Sequence, residues 1–133
     1  MSTTIWTNGC FDCLHAGHIE LLEHAKRKGD KLVVGIDSDE RVRLLKGTSR
    51  PVHTQEQRKK VLESIRFVDH VVIFSSEEEL VSCIKECGAS IIVVGSDYKG
   101  KRVIGEDVVP VDFFERIPGL SSTRILNGGK DHV

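Results

Sequence analysis

Short apolar runs alternate with longer amphipathic stretches along the chain. The short runs are "TTIWTN" at 3–8, "KLVVGI" at 31–36, "HVVIF" at 70–74, "SIIVVG" at 90–95 and "VVPVDFF" at 108–114. Their β-branched content and length predict five strands. The last belongs at a sheet edge, because Pro110 has no N–H to give to a ladder. The longer stretches have helical period. "HIELLEHAKRKG" puts Ile19, Leu22 and Ala25 on one face and stops at Gly29. "DSDERVRLLKG" opens with cap-type residues and predicts a short helix ending near Gly47. "TQEQRKKVLESI" pairs Thr54 with Gln57 in a capping-box pattern and points Val61, Leu62 and Ile65 at the core. "SEEELVSCIKECG" at 76–88 carries Leu80, Ile84 and Cys87 along one stripe, and "SSTRIL" at 121–126 reads as the start of a last helix.

Strands this uniformly apolar, separated by helices, predict a parallel sheet covered on both faces. Right-handed crossovers make it a doubly wound, Rossmann-like α/β domain of about five strands. Such sheets take ligands beyond the carboxyl ends of their strands, at the switch point in strand order. The rule selects the segments after Asn8, Ile36, Phe74, Gly95 and Phe114.

With 133 residues the chain fits one domain, 1–133, with 127–133 as a loose tail. Lys plus Arg number 19 and Asp plus Glu 20, a balance that argues against a broad nucleic-acid or membrane surface. Aromatic content of 5% argues against a base-stacking platform. No apolar run approaches the roughly 20 residues of a membrane span, and the start lacks a signal-peptide pattern. The expectation is a cytoplasmic protein with neither nucleic acid nor membrane as partner.

The chemistry concentrates in "TNGCFDCLHAGH" at 7–18. Cys10 and Cys13 have the C-x-x-C spacing of a zinc or redox site, and His15 and His18 could share a helix face. No second pair of matching spacing completes a zinc site, since Cys83 and Cys87 are four apart within a helical pattern. His15 and Gly17 separate Cys13 from the helix body, which weakens the redox reading. The four cysteines are therefore read as small core or near-core residues. Phosphate fits best: the motif joins the first strand to the first helix, Gly9 permits a tight turn, and Gly17 permits close backbone approach. Two imidazoles at a helix start can donate to phosphate oxygens, charged or as the right neutral tautomer.

The H-x-G-H core, His15 to His18 within "GCFDCLHAGH", resembles that of the H-x-G-H nucleotidyltransferases, the cytidylyltransferase-like group. Four further segments carry the resemblance in order: "RLLKGTSRPV" at 43–52, "QRKKVLESIRFVDHVV" at 57–72, "VVGSDYKGKRVIG" at 93–105 and "RIPGLSSTRI" at 116–125. The resemblance implies transfer of a nucleotidyl group from a nucleoside triphosphate, ATP or CTP, to a phosphorylated small-molecule acceptor, with release of pyrophosphate. It implies Mg²⁺ as the triphosphate's cofactor and a homodimer. The catalytic set it implies is His15, His18, Lys46 and Arg116. Nucleotide and phosphate contacts fall to Asn8, Gly9, Cys10, Phe11, Asp12, Gly17, Gly95, Asp97, Ser121, Ser122 and Thr123. Acceptor contacts fall to Lys46, Arg58 and Tyr98, and Asp12 is a candidate metal ligand.

Plainer roles exist for several of these. Lys46 and Arg58 can be solvated charges, Asp12 a turn former and the "SST" run a helix cap. Lys99, Lys101 and Arg102 read either as a basic surface loop or as part of the acceptor pocket. "GCFD", "RLLKG-x-x-RPV" and "G-x-DY" look most like the sugar-phosphate branch, which contains the nucleotidyltransferase domain of ADP-heptose synthases. Ser96 departs from the glycine expected there, and "GKRVIGED" is a shorter link. The resemblance ranks adenylyl transfer to heptose 1-phosphate or another sugar 1-phosphate first, and cytidylyl transfer to glycerol 3-phosphate or another small alcohol phosphate second. A nucleotide-binding module without turnover is the third reading.

Overall fold

A computed structural model describes residues 2–115. Five strands form one parallel sheet: β1 (Thr4–Gly9), β2 (Lys31–Asp37), β3 (His70–Phe74), β4 (Ala89–Gly95) and β5 (Val111–Phe114). Their order is β3-β2-β1-β4-β5, so the chain first winds one way from β1 and then crosses to the other side. The reversal lies between β1 and β4, which makes the carboxyl end of β1 the switch point. β5 lies at an edge as expected, but it begins after Pro110. That residue instead offers its carbonyl to the Ile92 amide at 2.9 Å.

Alternation along the strands sorts side chains into two cores. Ile5, Leu32, Val34, Ile36 and Val93 pack with Leu21, Leu22, Ala25 and Leu62 on one face. Trp6, Val33, Ile92 and Val94 pack with Leu80, Ile84, Val103 and Val109 on the other. Each large apolar side chain removed from water contributes about 1.5–3 kcal/mol before the entropy of ordering is subtracted. Gly35 is needed on the second face, since a β-carbon there would overlap the Trp6 ring.

Four helices cover the sheet: α1 (Ala16–Arg27), α2 (Asp39–Lys46), α3 (Gln55–Glu63) and α4 (Glu77–Glu86). Ser38 caps α2 by accepting from the Arg41 amide, and Gly47 follows its last residue. Thr54 and Gln57 form the capping box expected of α3. Two helix faces differ from the sequence expectation. In α1 the buried side holds Leu21, Leu22 and Ala25, while Ile19 is half-buried. In α3 Val61 is 52% exposed, and the buried pair is Leu62 and Arg58. The helix is rotated so that an arginine points inward, because the guanidinium finds a set of acceptors there. Among the described residues no helix is long and apolar enough to cross a membrane.

Candidate nucleotide site

The segment between β1 and α1 is built around its two histidines. His15 is the N-cap of α1, and its Nδ1 accepts the Gly17 amide at 3.0 Å. His18, three residues on, accepts the His15 amide on its own Nδ1 at 3.1 Å. The pair forms a capping box made of imidazoles, with ring centroids 4.0 Å apart. An Nδ1 that accepts carries no hydrogen, so the neutral rings hold theirs on Nε2. Backbone bonding thus assigns the tautomer in which each Nε2 is a donor. His18 is buried, and Phe11 meets it edge-on at 5.5 Å. Phe11 adopts a positive φ of 50°, a strained setting for a bulky residue. Its ring lies against Gly9, where a β-carbon would come within 3.1 Å of it.

Two buried charges hold this segment. Asp12 Oδ2 accepts the Val52 amide at 2.7 Å and Oδ1 accepts the His53 amide at 2.8 Å. Arg50 Nη1 lies 3.3 Å from Oδ2. Burial pushes the Asp12 carboxyl up, but the two amides and Arg50 outweigh it and hold the group below its ordinary value. Arg58 is 2% exposed. Its Nε donates to the His53 carbonyl at 3.1 Å, and Nη1 donates to the carbonyls of Cys10 at 3.0 Å and Asp37 at 2.7 Å. Its Nη2 donates to Asp39 Oδ1 at 2.8 Å. One side chain therefore ties the histidine segment to the end of β2, the start of α2 and the loop before α3.

A cavity of about 220 Å³ opens beyond the carboxyl ends of β1, β2, β3 and β4. Of the residues expected at the site, it gathers Asn8, Gly9, Cys10, Lys46 and Tyr98. Trp6 Nε1 donates to Asn8 Oδ1 at 2.8 Å, which fixes the amide and turns its NH₂ group away from the indole. Burial pushes the Cys10 thiol above its ordinary value, against the opposing pull of Lys46 and Arg58. Cys13 is exposed, so the two cysteines of the C-x-x-C spacing occupy different environments, and both are free thiols.

Phe11, Asp12 and Arg58 line a second cavity of about 410 Å³, on the Cys13–Leu14 side of the segment. Gly17 lies in the first turn of α1, and Gly95 ends β4. Asp97 lies in the 3₁₀ turn Ser96–Tyr98, with its side chain outside the described set. Arg116, Ser121, Ser122 and Thr123, and the helix expected from 121, lie outside the described residues.

Sequence reading missed Asp37, Arg41 and Phe74, which also line the first cavity; Arg102, read from sequence as surface loop or acceptor pocket, lines it too. The signal was the i, i+4 spacing of opposite charges, Asp37 and Arg41, just past a strand end that the switch-point rule had already selected.

Asp12 is engaged on both oxygens by the protein, so its candidate metal role gains no support from this geometry. Among the described residues no three His, Cys, Asp or Glu side chains converge as a metal site. That donor set does not form a protein cage for Mg²⁺, an ion usually held by substrate phosphates with few protein ligands.

A family model described as Cytidylyltransferase-like matches residues 6–127. The chain belongs to the cytidylyltransferase-like family. Among its relatives, the bifunctional protein HldE of Campylobacter concisus is 45% identical over 128 residues, 96% of this chain and 27% of that protein. The bifunctional protein HldE of Campylobacter fetus subsp. fetus is 47% identical over 126 residues, 94% of this chain and 27% of that one. That of Wolinella succinogenes is 45% identical over 123 residues, 92% of this chain and 26% of that one. The chain thus spans about a quarter of the length of these curated relatives. The crystal structure of the lipopolysaccharide core biosynthesis protein from Thermoplasma volcanium superposes with a TM-score of 0.67 at 23% identity, covering 88% of this chain and 98% of that one. That likeness is one of fold.

Proposed function

We propose that this chain transfers an adenylyl group from ATP to a sugar 1-phosphate, heptose 1-phosphate first, giving an ADP-sugar and pyrophosphate. The observation that carries the reading is the histidine capping box. It stands where the doubly wound sheet places a phosphate, and it holds both rings in the tautomer that donates from Nε2. Membership of the cytidylyltransferase-like family supports nucleotidyl transfer. The relatives named bifunctional protein HldE, with the motifs of the sugar-phosphate branch, support the acceptor class.

An oxygen of the acceptor phosphate attacks the α-phosphorus. The bond from that phosphorus to the bridging oxygen breaks, and pyrophosphate leaves with the electron pair. The acceptor is already an anion, so no strong general base is required, and catalysis consists of alignment and charge stabilisation. His15 and His18 donate to triphosphate oxygens, with His18 at the transferred phosphorus. Lys46, which lines the first cavity, neutralises charge on the phosphates. Asn8 donates from an amide oriented by Trp6. Asp12 and Arg58 act as positioning residues, holding the segment that carries the histidines. Asp97, Arg116, Ser121, Ser122 and Thr123 keep the nucleotide-binding roles that the resemblance implies. Mg²⁺, held mainly by the triphosphate itself, would supply charge neutralisation at its oxygens.

A nucleotide-dependent reaction of this kind belongs in the cytoplasm. The active unit is a homodimer, as the family resemblance implies. Light scattering that finds only monomer at assay concentration overturns the dimer.

The family's description favours one alternative, CTP with a small alcohol phosphate. A panel crossing ATP, CTP, GTP and UTP with sugar 1-phosphates and glycerol 3-phosphate, read by pyrophosphate release with Mg²⁺ present, decides between them. ATP with a sugar 1-phosphate is the expected pair. CTP with glycerol 3-phosphate moves the chain to the alternative.

A further inference from the structure

The first cavity contains a charge pair that phosphate binding does not require. Asp37 is the last residue of β2, and Arg41 lies in the first turn of α2. Arg41 Nε donates to Asp37 Oδ1 at 2.8 Å, and the two side chains are only 16% and 15% exposed. The guanidinium carbon lies 5.6 Å from the centroid of the buried Phe74 ring. The hydrogen bond and the ring together fix the plane of the guanidinium. The Asp37 backbone is held in turn, because its carbonyl accepts from Arg58. Among the described residues, neither Asp37 Oδ2 nor the Arg41 Nη groups have a protein hydrogen-bond partner. All of Asp37, Arg41, Phe74, Leu80 and Lys46 line the same cavity.

We propose that the Asp37–Arg41 pair recognises the hydroxyl-bearing end of the acceptor. Asp37 accepts from one sugar hydroxyl and Arg41 donates to an adjacent oxygen. The proposal rests on the nucleotidyl-transfer reading above and names how its acceptor is chosen.

The chemistry of the pair separates a polyol from a phosphate. A hydroxyl both donates and accepts, and the pair offers an acceptor and donors side by side. A phosphate brings only acceptors and negative charge, which the Asp37 carboxylate repels. Two further cations line the cavity, Lys46 at the end of α2 and Arg102. The acceptor therefore lies with its phosphate toward Lys46 and its hydroxyls toward Asp37 and Arg41. Buried, paired and oriented groups of this kind discriminate strongly against a ligand that lacks the matching hydroxyl.

The test uses the full chain with Asp37→Asn, Arg41→Ala and Arg41→Lys, each checked for folding by circular dichroism. Steady-state kinetics are run with ATP and the best wild-type sugar 1-phosphate, alongside deoxy analogues. Nucleotide affinity is measured separately by titration with a non-hydrolysable ATP analogue. The expected result is an acceptor KM raised about tenfold or more in Asp37→Asn and Arg41→Ala. Nucleotide affinity stays within about twofold, and the deoxy analogue of the contacted hydroxyl loses no further efficiency in the variant. Arg41→Lys recovers only part of the loss, because an ammonium cannot keep the fork over Phe74. Unchanged acceptor KM in folded variants overturns the proposal, as does an equal loss of nucleotide affinity, while leaving nucleotidyl transfer intact. Wild-type silence with every sugar 1-phosphate overturns the underlying reading and the proposal with it.

Discussion

Arg58 Nη1 donates to the Cys10 carbonyl at 3.0 Å, tying α3 to the segment that carries both histidines across 48 residues of chain. The same guanidinium reaches three further acceptors, so its loss leaves the buried Cys10 carbonyl and the half-buried Asp37 carbonyl without their donor. Arg58→Met should lower stability by about 3 kcal/mol or more and reduce turnover as the segment loosens. Arg58→Lys should recover part of the stability but little of the geometry. Thermal melting with steady-state kinetics checks both. A Met variant as stable and active as wild type would show that the contacts are idle.

Asp12 makes acid sensitivity a specific expectation. Its folded pKa is depressed, so its contribution to stability is present above the unfolded value of about 3.9 and is lost as pH falls through the folded one. Asp69 and Asp112 are depressed as well, against the push of burial: Lys26 and the Leu32 amide lower Asp69, and His24 and Lys28 lower Asp112. Stability should therefore decline below about pH 4. Asp12→Asn should cost about 1–3 kcal/mol at pH 7, because an amide cannot accept from both Val52 and His53. Its stability should also depend less on pH below 4 than that of wild type. Chemical denaturation at pH 7 and pH 3.5 measures both effects, and parallel pH profiles contradict the assignment.

Much of the frame was legible in the residue pattern. After their polar first residues, runs such as "KLVVGI" and "SIIVVG" are apolar throughout because both sheet faces are covered, and Pro110 marked the edge strand. The Thr54–Gln57 box and the H-x-G-H segment were legible because their partners lie within three residues. What escaped depends on distant partners. Nothing near Arg58 in sequence announces that Cys10 and Asp37 will supply its acceptors, so Val61 looked the better core residue. Asp12 looked like a turn or metal residue, since its true partners are 40 positions away.

Gly35 is required by Trp6. A β-carbon at 35 would overlap the indole, and the indole cannot move without releasing Asn8. Gly35→Ala should cost about 1–3 kcal/mol through overpacking. It should also raise the KM for nucleotide by disturbing Asn8. Unchanged melting temperature and KM would refute the link between the core and the cavity wall.

The histidine tautomers make a separable prediction. An asparagine at 18 can still accept the His15 amide but has no donor where Nε2 stands. His18→Asn should therefore keep stability within about 1 kcal/mol. Turnover should fall by about a hundredfold or more. His18→Ala should lose both the cap and the donor. Equal activity in wild type and the Asn variant would remove His18 from the mechanism.

The most direct test follows product formation from ATP and heptose 1-phosphate with Mg²⁺, using wild type and His18→Asn in parallel. The account predicts one pyrophosphate released for each nucleotide sugar formed by wild type, and a rate lower by about two orders of magnitude in the variant. Phosphate release without a nucleotide sugar, or equal rates in the two proteins, would contradict it.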